Sequence, residues 1–327
     1  MIALLGATGY TGRLVAAELT GRGLPHRLGA RDPAMLAALA AGGDAEPFVV
    51  DARQAGRLDA FLEGADALIT TVGPFARLGL AVVEAAVRNE VAYVDSAGEP
   101  AFLRTVYERF AAAPVAVVPA CGFEFLLADL AAAVAAQGVE GVSEVVTAYE
   151  LSGVLPSRGT VRTALEVASS SRPSPARREV RFPDGVKVGV SLPWGEEVTV
   201  PRHLPGASVT TVMVMAPLLG AVLGVGTGLL RLTRPVVAPL VDRLPSGPGE
   251  KRRRRARFRV VAEARAPSGR SSSVACEGTD VYRLTARLLV EAALRARGAG
   301  ALAPAEAFDP EAFLDAVSGE GFSWRRF

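Results

Sequence analysis

The first apolar run of the chain, Ile2-Ala3-Leu4-Leu5, stops at Gly6, and a helical pattern runs from Arg13 to Gly21. Between them lies Gly6-Ala7-Thr8-Gly9-Tyr10-Thr11-Gly12. A strand that turns this tightly into a helix needs glycine at these places for different reasons. Gly6 permits the turn, and Gly9 leaves backbone N–H groups open to a pyrophosphate. Gly12 lets the helix lie against the strand with its positive end toward the phosphates. Glycines also end strands for reasons of shape alone, so the spacing marks a dinucleotide grip only where the neighbouring segments agree. The candidate cofactor contacts in the turn are Gly6, Thr8, Gly9, Tyr10, Thr11 and Gly12.

The following segments do agree. Apolar strands at His26–Ala30, Phe48–Asp51, Ala67–Val72, Val91–Asp95 and Val115–Val118 alternate with helical stretches Ala34–Ala41, Gln54–Leu62, Leu78–Arg88 and Pro100–Phe110. With the first strand this makes six, which predicts an α/β fold: a doubly wound parallel sheet of the Rossmann type, closed by right-handed crossovers. Cofactor contacts then belong at the carboxyl ends of the strands. The second strand ends in Arg31, 19 residues beyond Gly12, where a carboxylate would bind the ribose 2′-OH of NAD and an arginine suits the 2′-phosphate of NADP. Asp32-Pro33 reads as the N-cap and first-turn proline of the next helix, so NADPH is the expected cofactor. Asp51 sits where an adenine amino group would lie, or else caps the helix after it. Gly73-Pro74-Phe75 follows the fourth strand, where the chain passes the nicotinamide ribose.

With 327 residues, half of them hydrophobic, the chain is long enough for two domains. The first strand begins at Met1, which leaves no room for a secretory leader and predicts a cytoplasmic location. Two cysteines, Cys121 and Cys276, lie far apart, and there are two histidines; this argues against a disulfide framework or a metal site. A net charge of +2 gives no reason to expect nucleic acid. Lys251-Arg252-Arg253-Arg254-Arg255 lacks interleaved aromatics and reads as a solvated edge, with a docking patch for an anionic carrier or membrane as the alternative.

The Rossmann pattern ends near Cys121-Gly122-Phe123. Boundaries are expected at 1–121 for the NADP-binding domain, 122–280 for an α+β substrate or dimerisation domain on a mixed or antiparallel sheet, and 281–327 for C-terminal helices returning to the first domain. In the second part, Glu124–Ala136 reads as a helix, Val142–Glu150 as a strand, Thr160–Val167 as a helix and Ser171–Arg178 as a loop. Val186–Val190, Glu197–Val200 and Val209–Met215 read as strands, and Ala256–Arg265 with Arg270–Cys276 as a hairpin. Leu204–Leu230 holds 27 residues without a charge, enough to span a bilayer on length alone. Pro217, Gly220, Gly224, Gly226 and Gly228 interrupt it, and the hairpin beyond it must join a sheet begun before it, which argues against spanning. The segment is expected to wall an apolar cleft or to touch a membrane surface peripherally.

No Tyr is followed four residues later by Lys, and Lys187 and Lys251 are the only lysines. This excludes a reductase working through a Tyr-x-x-x-Lys pair. The chain resembles the saccharopine dehydrogenase-like oxidoreductases, and within them the trans-acting enoyl reductases. The resemblance runs through the glycine turn, Gly29-Ala30-Arg31-Asp32, Thr71-Val72-Gly73-Pro74-Phe75 and Tyr93-Val94-Asp95-Ser96-Ala97-Gly98-Glu99. It continues at Cys121-Gly122-Phe123, Gly159-Thr160, Pro193-Trp194-Gly195-Glu196 and Thr199-Val200-Pro201-Arg202-His203. The chain departs from the family pattern at Glu124 and Leu127.

The resemblance implies an NADPH-dependent reductase acting on a carbon–carbon double bond conjugated to a carbonyl, in an apolar substrate that is free or carrier-bound. The alternatives are an imine reductase of the saccharopine type, a non-catalytic NADP-binding scaffold at lipid surfaces, and a flavin or NmrA-like redox sensor. Conjugate reduction builds negative charge on the carbonyl oxygen, where one well-placed donor is worth about 3 kcal/mol. Ser157, Gly159 and Thr160, opening a helix, are candidate substrate contacts, as is Arg202; Thr160 otherwise caps that helix. His203 is the candidate donor of a proton to the α carbon, with a structural histidine as the alternative, and Tyr149 is a second candidate acid. Cys121 reads as packing. A homodimer through the second domain's sheet is a further expectation.

Overall fold

A computed structural model of the chain describes residues 1–41, 43, 45–161, 177–192, 194–214 and 245–327. Its contacts divide into two units, Met1–Phe123 with Tyr282–Phe308, and Glu124–Val281 with Asp309–Phe327.

The first unit is built on seven parallel strands: β1 (Ile2–Leu5), β2 (His26–Ala30), β3 (Glu46–Val49), β4 (Ala67–Thr70), β5 (Ala92–Asp95), β6 (Ala116–Val118) and, from the far end of the chain, β13 (Gly300–Ala301). Their order is β13-β6-β5-β4-β1-β2-β3. β1, β4, β5 and β6 are buried at every position, as expected of strands covered on both faces. The helices between them are α1 (Tyr10–Gly21), α2 (Pro33–Ala40), α3 (Ala55–Leu62), α4 (Phe75–Arg88) and α5 (Pro100–Arg109). α1 buries Gly12, Val15, Ala16 and Leu19, the spacing of one helical stripe. The strand order reverses between β1 and β4, which opens a crevice at the carboxyl ends of those two strands.

The second unit has a seven-stranded sheet in the order β14-β12-β11-β7-β10-β9-β8. Its strands are β7 (Glu144–Ser152), β8 (Arg177–Phe182), β9 (Gly185–Leu192), β10 (Ser208–Val214), β11 (Arg257–Arg265), β12 (Ser271–Thr279) and β14 (Phe322–Arg326). β7 and β10 run parallel, with Tyr149 opposite Met213 and Thr147 opposite Thr211; the other pairings are antiparallel. The two-residue period sends Val146, Ala148, Val212, Val261 and Ala275 into one apolar cluster and leaves Thr147, Tyr149 and Thr211 on the opposite face. Two helices of this unit matter below: α6 (Phe123–Gln137) and α7 (Glu196–His203).

Several expectations are corrected. Glu197–Val200 lies in α7 rather than in a strand. Its β-branched residues suit a sheet, but acidic Glu197 in the first turn and the basic last turn Arg202-His203 match the helix dipole. Arg177 and Arg178 open β8, not a loop, because Val180 and Phe182 are buried in the sheet's apolar cluster. Residues 309–327 belong to the second unit, since β14 pairs with β12 and Trp324 Nε1 donates to Asp315 at 2.8 Å. Of the uncharged stretch 204–230, residues 208–214 form β10, while 215–230 lie outside the described residues, as does most of the helix expected at Thr160–Val167. No helix among the described residues is long and apolar enough to cross a membrane.

Candidate functional site

Gly6 adopts φ +88°, a conformation costly for side chains bearing a Cβ. A Cβ there would also lie 2.8 Å from Val72 Cγ2. At Gly12 a Cβ would lie 2.1 Å from the Gly6 carbonyl oxygen, so α1 sits against the turn with no space between. Gly9 is the N-cap residue of α1, and no side chain caps the helix. The exposed Gly9 is flanked by half-buried Thr8, Tyr10 and Thr11. A turn with its glycines placed so, under an uncapped helix end, fits a dinucleotide pyrophosphate.

At the end of β2, Arg31 is exposed. The Asp32 carboxylate accepts from Ala34 N and Met35 N at 2.9 and 3.0 Å, so it caps α2. Asp51 follows β3. It does not cap α3, whose N-cap is Gln54; its carboxylate instead accepts from Arg53 N at 3.0 Å and from the Arg53 guanidinium at 3.0 and 2.6 Å. That pair holds Asp51 down to about 2, with a smaller contribution from Arg31.

After β4, the Gly73-Pro74 peptide is cis and α4 starts at Phe75. Phe75 N donates to Glu99 Oε1 at 3.0 Å, and Gly98 N to Glu99 Oε2 at 3.1 Å. Glu99, buried at 4 % exposure, therefore ties the start of α4 to the loop after β5. Asp95, at the end of β5, is fully buried. It accepts from Tyr93 Oη at 2.6 Å and from Ala97 N and Ala120 N at 2.8 Å each. Burial pushes its carboxyl up to about 7, against the pull of those three donors. Cys121 Sγ donates to Val118 O at 3.3 Å inside the core, which agrees with a packing role. Asp95 and Glu99 both lie in the quoted Tyr93–Glu99 motif; the legible signal was two carboxylates in a segment otherwise fit for burial.

In the second unit, Tyr149 is buried. Its hydroxyl contacts both the Glu124 main-chain oxygen and Glu196 Oε1. A buried phenol so engaged has no proton to offer a substrate, so its expected role as an acid is withdrawn. Glu196, also fully buried, accepts from Thr211 Oγ1 at 3.2 Å, and Thr211 contacts Thr147 Oγ1 at 3.0 Å. Burial, together with the charge of Asp129, raises the Glu196 carboxyl to about 8. His203 Nε2 lies 3.0 Å from Asp129 Oδ1, with the imidazole 10 % and the carboxylate 0 % exposed. Sequence reading missed Asp129 and Glu196. Asp129 had a signal, being the one charge between Phe125 and Ala136.

Ser157 accepts from Thr160 N at 3.1 Å and pairs with Thr160 Oγ1 at 2.9 Å. Ser157, not Thr160, is thus the cap of helical residues 158–161. Arg158 N and Val161 N donate to Ser246 O and Ser157 O. Gly159 is exposed and Arg202 half-buried.

The NAD(P)H-binding domain family matches residues 6–103, the span from the glycine turn into α5. In sequence the chain is 34% identical over 200 residues to a Mycobacterium tuberculosis protein provisionally named a trans-acting enoyl reductase, covering 56% of this chain and 48% of that protein. It is 36% identical over 140 residues to the trans-acting enoyl reductase of Mycobacterium leprae, covering 39% and 34%. The matches thus span about half or less of the curated relatives' length. In structure, the saccharopine dehydrogenase (L-Glu forming) of Saccharomyces cerevisiae superposes over 100% of this chain and 99% of its own, with a TM-score of 0.66 at 13% identity. The chain therefore carries an NAD(P)H-binding Rossmann domain, resembles trans-acting enoyl reductases in sequence and shares the saccharopine dehydrogenase fold.

Proposed function

We propose that the chain is an NADPH-dependent reductase of an activated carbon–carbon double bond in an apolar substrate. The observation that carries the reading is the glycine turn, shaped for a pyrophosphate, within a stretch similar to enoyl reductases. NADPH is favoured over NADH because the Asp32 carboxylate is committed to α2, which leaves Arg31 as the side chain after β2 suited to a ribose 2′-phosphate. Gly6, Gly9 and Gly12 shape the turn that holds the pyrophosphate, and Thr8, Tyr10 and Thr11 flank it. Gly73, Pro74 and Phe75 form the ribose-side wall, kept in place by Glu99. When bound, the nicotinamide supplies the hydride.

His203 is assigned the proton that goes to the α carbon. Asp129 orients the ring through Nε2. Ser157 and Thr160 shape the turn in which Gly159 N–H is assigned to the substrate carbonyl oxygen, and Arg202 flanks the substrate. The test is a fluorescence titration with NADPH and NADH, followed by addition of enoyl thioesters of graded chain length. Preferential NADPH binding with chain-length-dependent oxidation is expected. Oxidation by imines but not by enoyl thioesters would refute the substrate assignment, and binding of neither nucleotide would refute the reading of the turn.

A further inference from the structure

α7 is held to the rest of its unit at both ends. Its first residue, Glu196, meets β7 and β10 through Tyr149 and Thr211, and its last, His203, meets α6 through Asp129. The start of the helix lies tight on α6: a Cβ at Gly195 would come 2.5 Å from the Phe125 ring, and Trp194 stacks on Phe125 with centroids 6.2 Å apart.

The contacts around Glu196 can be counted proton by proton. Tyr149 Oη touches two oxygens, Glu124 O and Glu196 Oε1, but a phenol has one proton to give. A main-chain carbonyl has none. If Tyr149 donated to an ionised Glu196, its oxygen would face the Glu124 carbonyl lone pairs with nothing between. The pattern closes if Glu196 Oε1 carries a proton. Glu196 Oε1–H then donates to Tyr149, and Tyr149 donates to Glu124 O. Thr211 donates to the carbonyl-type Oε2, and Thr147 donates to Thr211. Every proton is used once and every buried acceptor in this chain is served.

The geometry points to Glu196 as a neutral carboxylic acid whose proton latches α7 to the sheet, making it the positioning residue for His203. This rests on the catalytic reading of His203 given above. Burial and, from α6, the negative charge of Asp129 favour the neutral form of Glu196, and they outweigh the hydrogen bonds from Tyr149 on β7 and Thr211 on β10, which pull toward the ionised form; Tyr149 is itself a phenol held neutral by burial. His203, on α7 itself, is paired to Asp129. Ionisation of Glu196 would put a second negative charge beside Asp129 and break the donation to Tyr149, freeing the first turn of the helix that carries the imidazole.

The chain has two histidines, His26 and His203, so His203 side-chain resonances are assigned in the full-length protein by comparison with His26→Gln. Infrared spectra across the same pH series report the protonated carboxyl C=O band. At neutral pH the wild type is expected to carry a component of that band that Glu196→Gln lacks, the component that remains in the variant belonging to Asp95. As pH rises the Glu196-dependent component should vanish and, over the same interval, His203 should show a second inflection that Glu196→Gln lacks. Gln keeps a donor toward Tyr149 and an acceptor for Thr211, so the variant should fold. Should it not, the two wild-type titrations alone decide. Wild-type and Glu196→Gln bands that coincide at neutral pH, or a His203 signal indifferent to the loss of the Glu196 component, would overturn the latch. Reductase activity retained by His203→Gln would instead overturn the catalytic reading, with the coupled titration unaffected, so the two failures are distinguishable.

Discussion

Replacing Asp95 with alanine should damage the first unit far more than replacing it with asparagine. The carboxylate receives two main-chain N–H groups, from Ala97 and Ala120, and the Tyr93 hydroxyl, all buried. Alanine strands all three donors. At about 1–3 kcal/mol for each buried group left unsatisfied, the loss comes to about 3–9 kcal/mol, a large part of a typical domain's 5–15 kcal/mol. For a unit of this size, about 2–4 °C per kcal/mol turns that into a fall in Tm of about 6–36 °C. Asparagine keeps a carbonyl for the two N–H groups and lets the phenol accept from its amide, so its cost should stay near 1 kcal/mol. The charge state gives a second signature. The Asp95 carboxyl is raised from 3.8 to about 7 in the folded protein, so the contribution of its neutral form is complete below 3.8 and is lost as pH climbs through about 7. The slope is about 1.4 kcal/mol per pH unit within that window. The asparagine variant has no such proton. Thermal unfolding followed by circular dichroism at pH 5 and pH 8 should therefore show wild type losing more than Asp95→Asn as pH rises. An alanine variant within about 1 kcal/mol of wild type would refute the accounting of donors, and an unchanged gap between wild type and Asp95→Asn would refute the raised carboxyl.

Three further outcomes are expected. Arg31→Ala should weaken NADPH about 10- to 100-fold, the range of one lost charge-assisted contact, and leave NADH nearly unaffected; titration with both nucleotides checks this. Gly12→Ala should abolish nucleotide binding, because its Cβ would meet Gly6 O at 2.1 Å, whereas Gly21→Ala meets open space and should raise Tm slightly through about 0.5–1 kcal/mol of helix propensity. In the second unit, Asp129→Asn should lower kcat for enoyl reduction by about 10²-fold or more with KM little changed, as should His203→Gln; single-turnover oxidation of NADPH reads both.

Much of the first unit was legible because its signals are local. A parallel strand buried on both faces must be apolar throughout, a turn at φ +88° selects glycine at position 6, and Asp32-Pro33 announces a helix start that the structure confirms atom by atom. The second unit was less legible because its strands carry mixed patterns. Val198-Thr199-Val200 has the composition of a strand, and what made it a helix is the close seat of Gly195 on Phe125 and the anchoring of Glu196 and His203 by other elements.

By itself, then, the sequence determined the dinucleotide turn, the parallel sheet and the identity of the residue after β2, since each depends on neighbours within a few positions. Only the tertiary structure decided that β13 completes the first sheet and β14 the second, and that Tyr149 is engaged inside the unit instead of offering a proton. It also decided that Asp129 stands against His203, a pair 74 residues apart in the chain. The physical reason is range: a helix cap or a turn is chosen by the chain's own next few atoms, whereas the state of a buried carboxyl is set by whichever distant groups the fold packs around it.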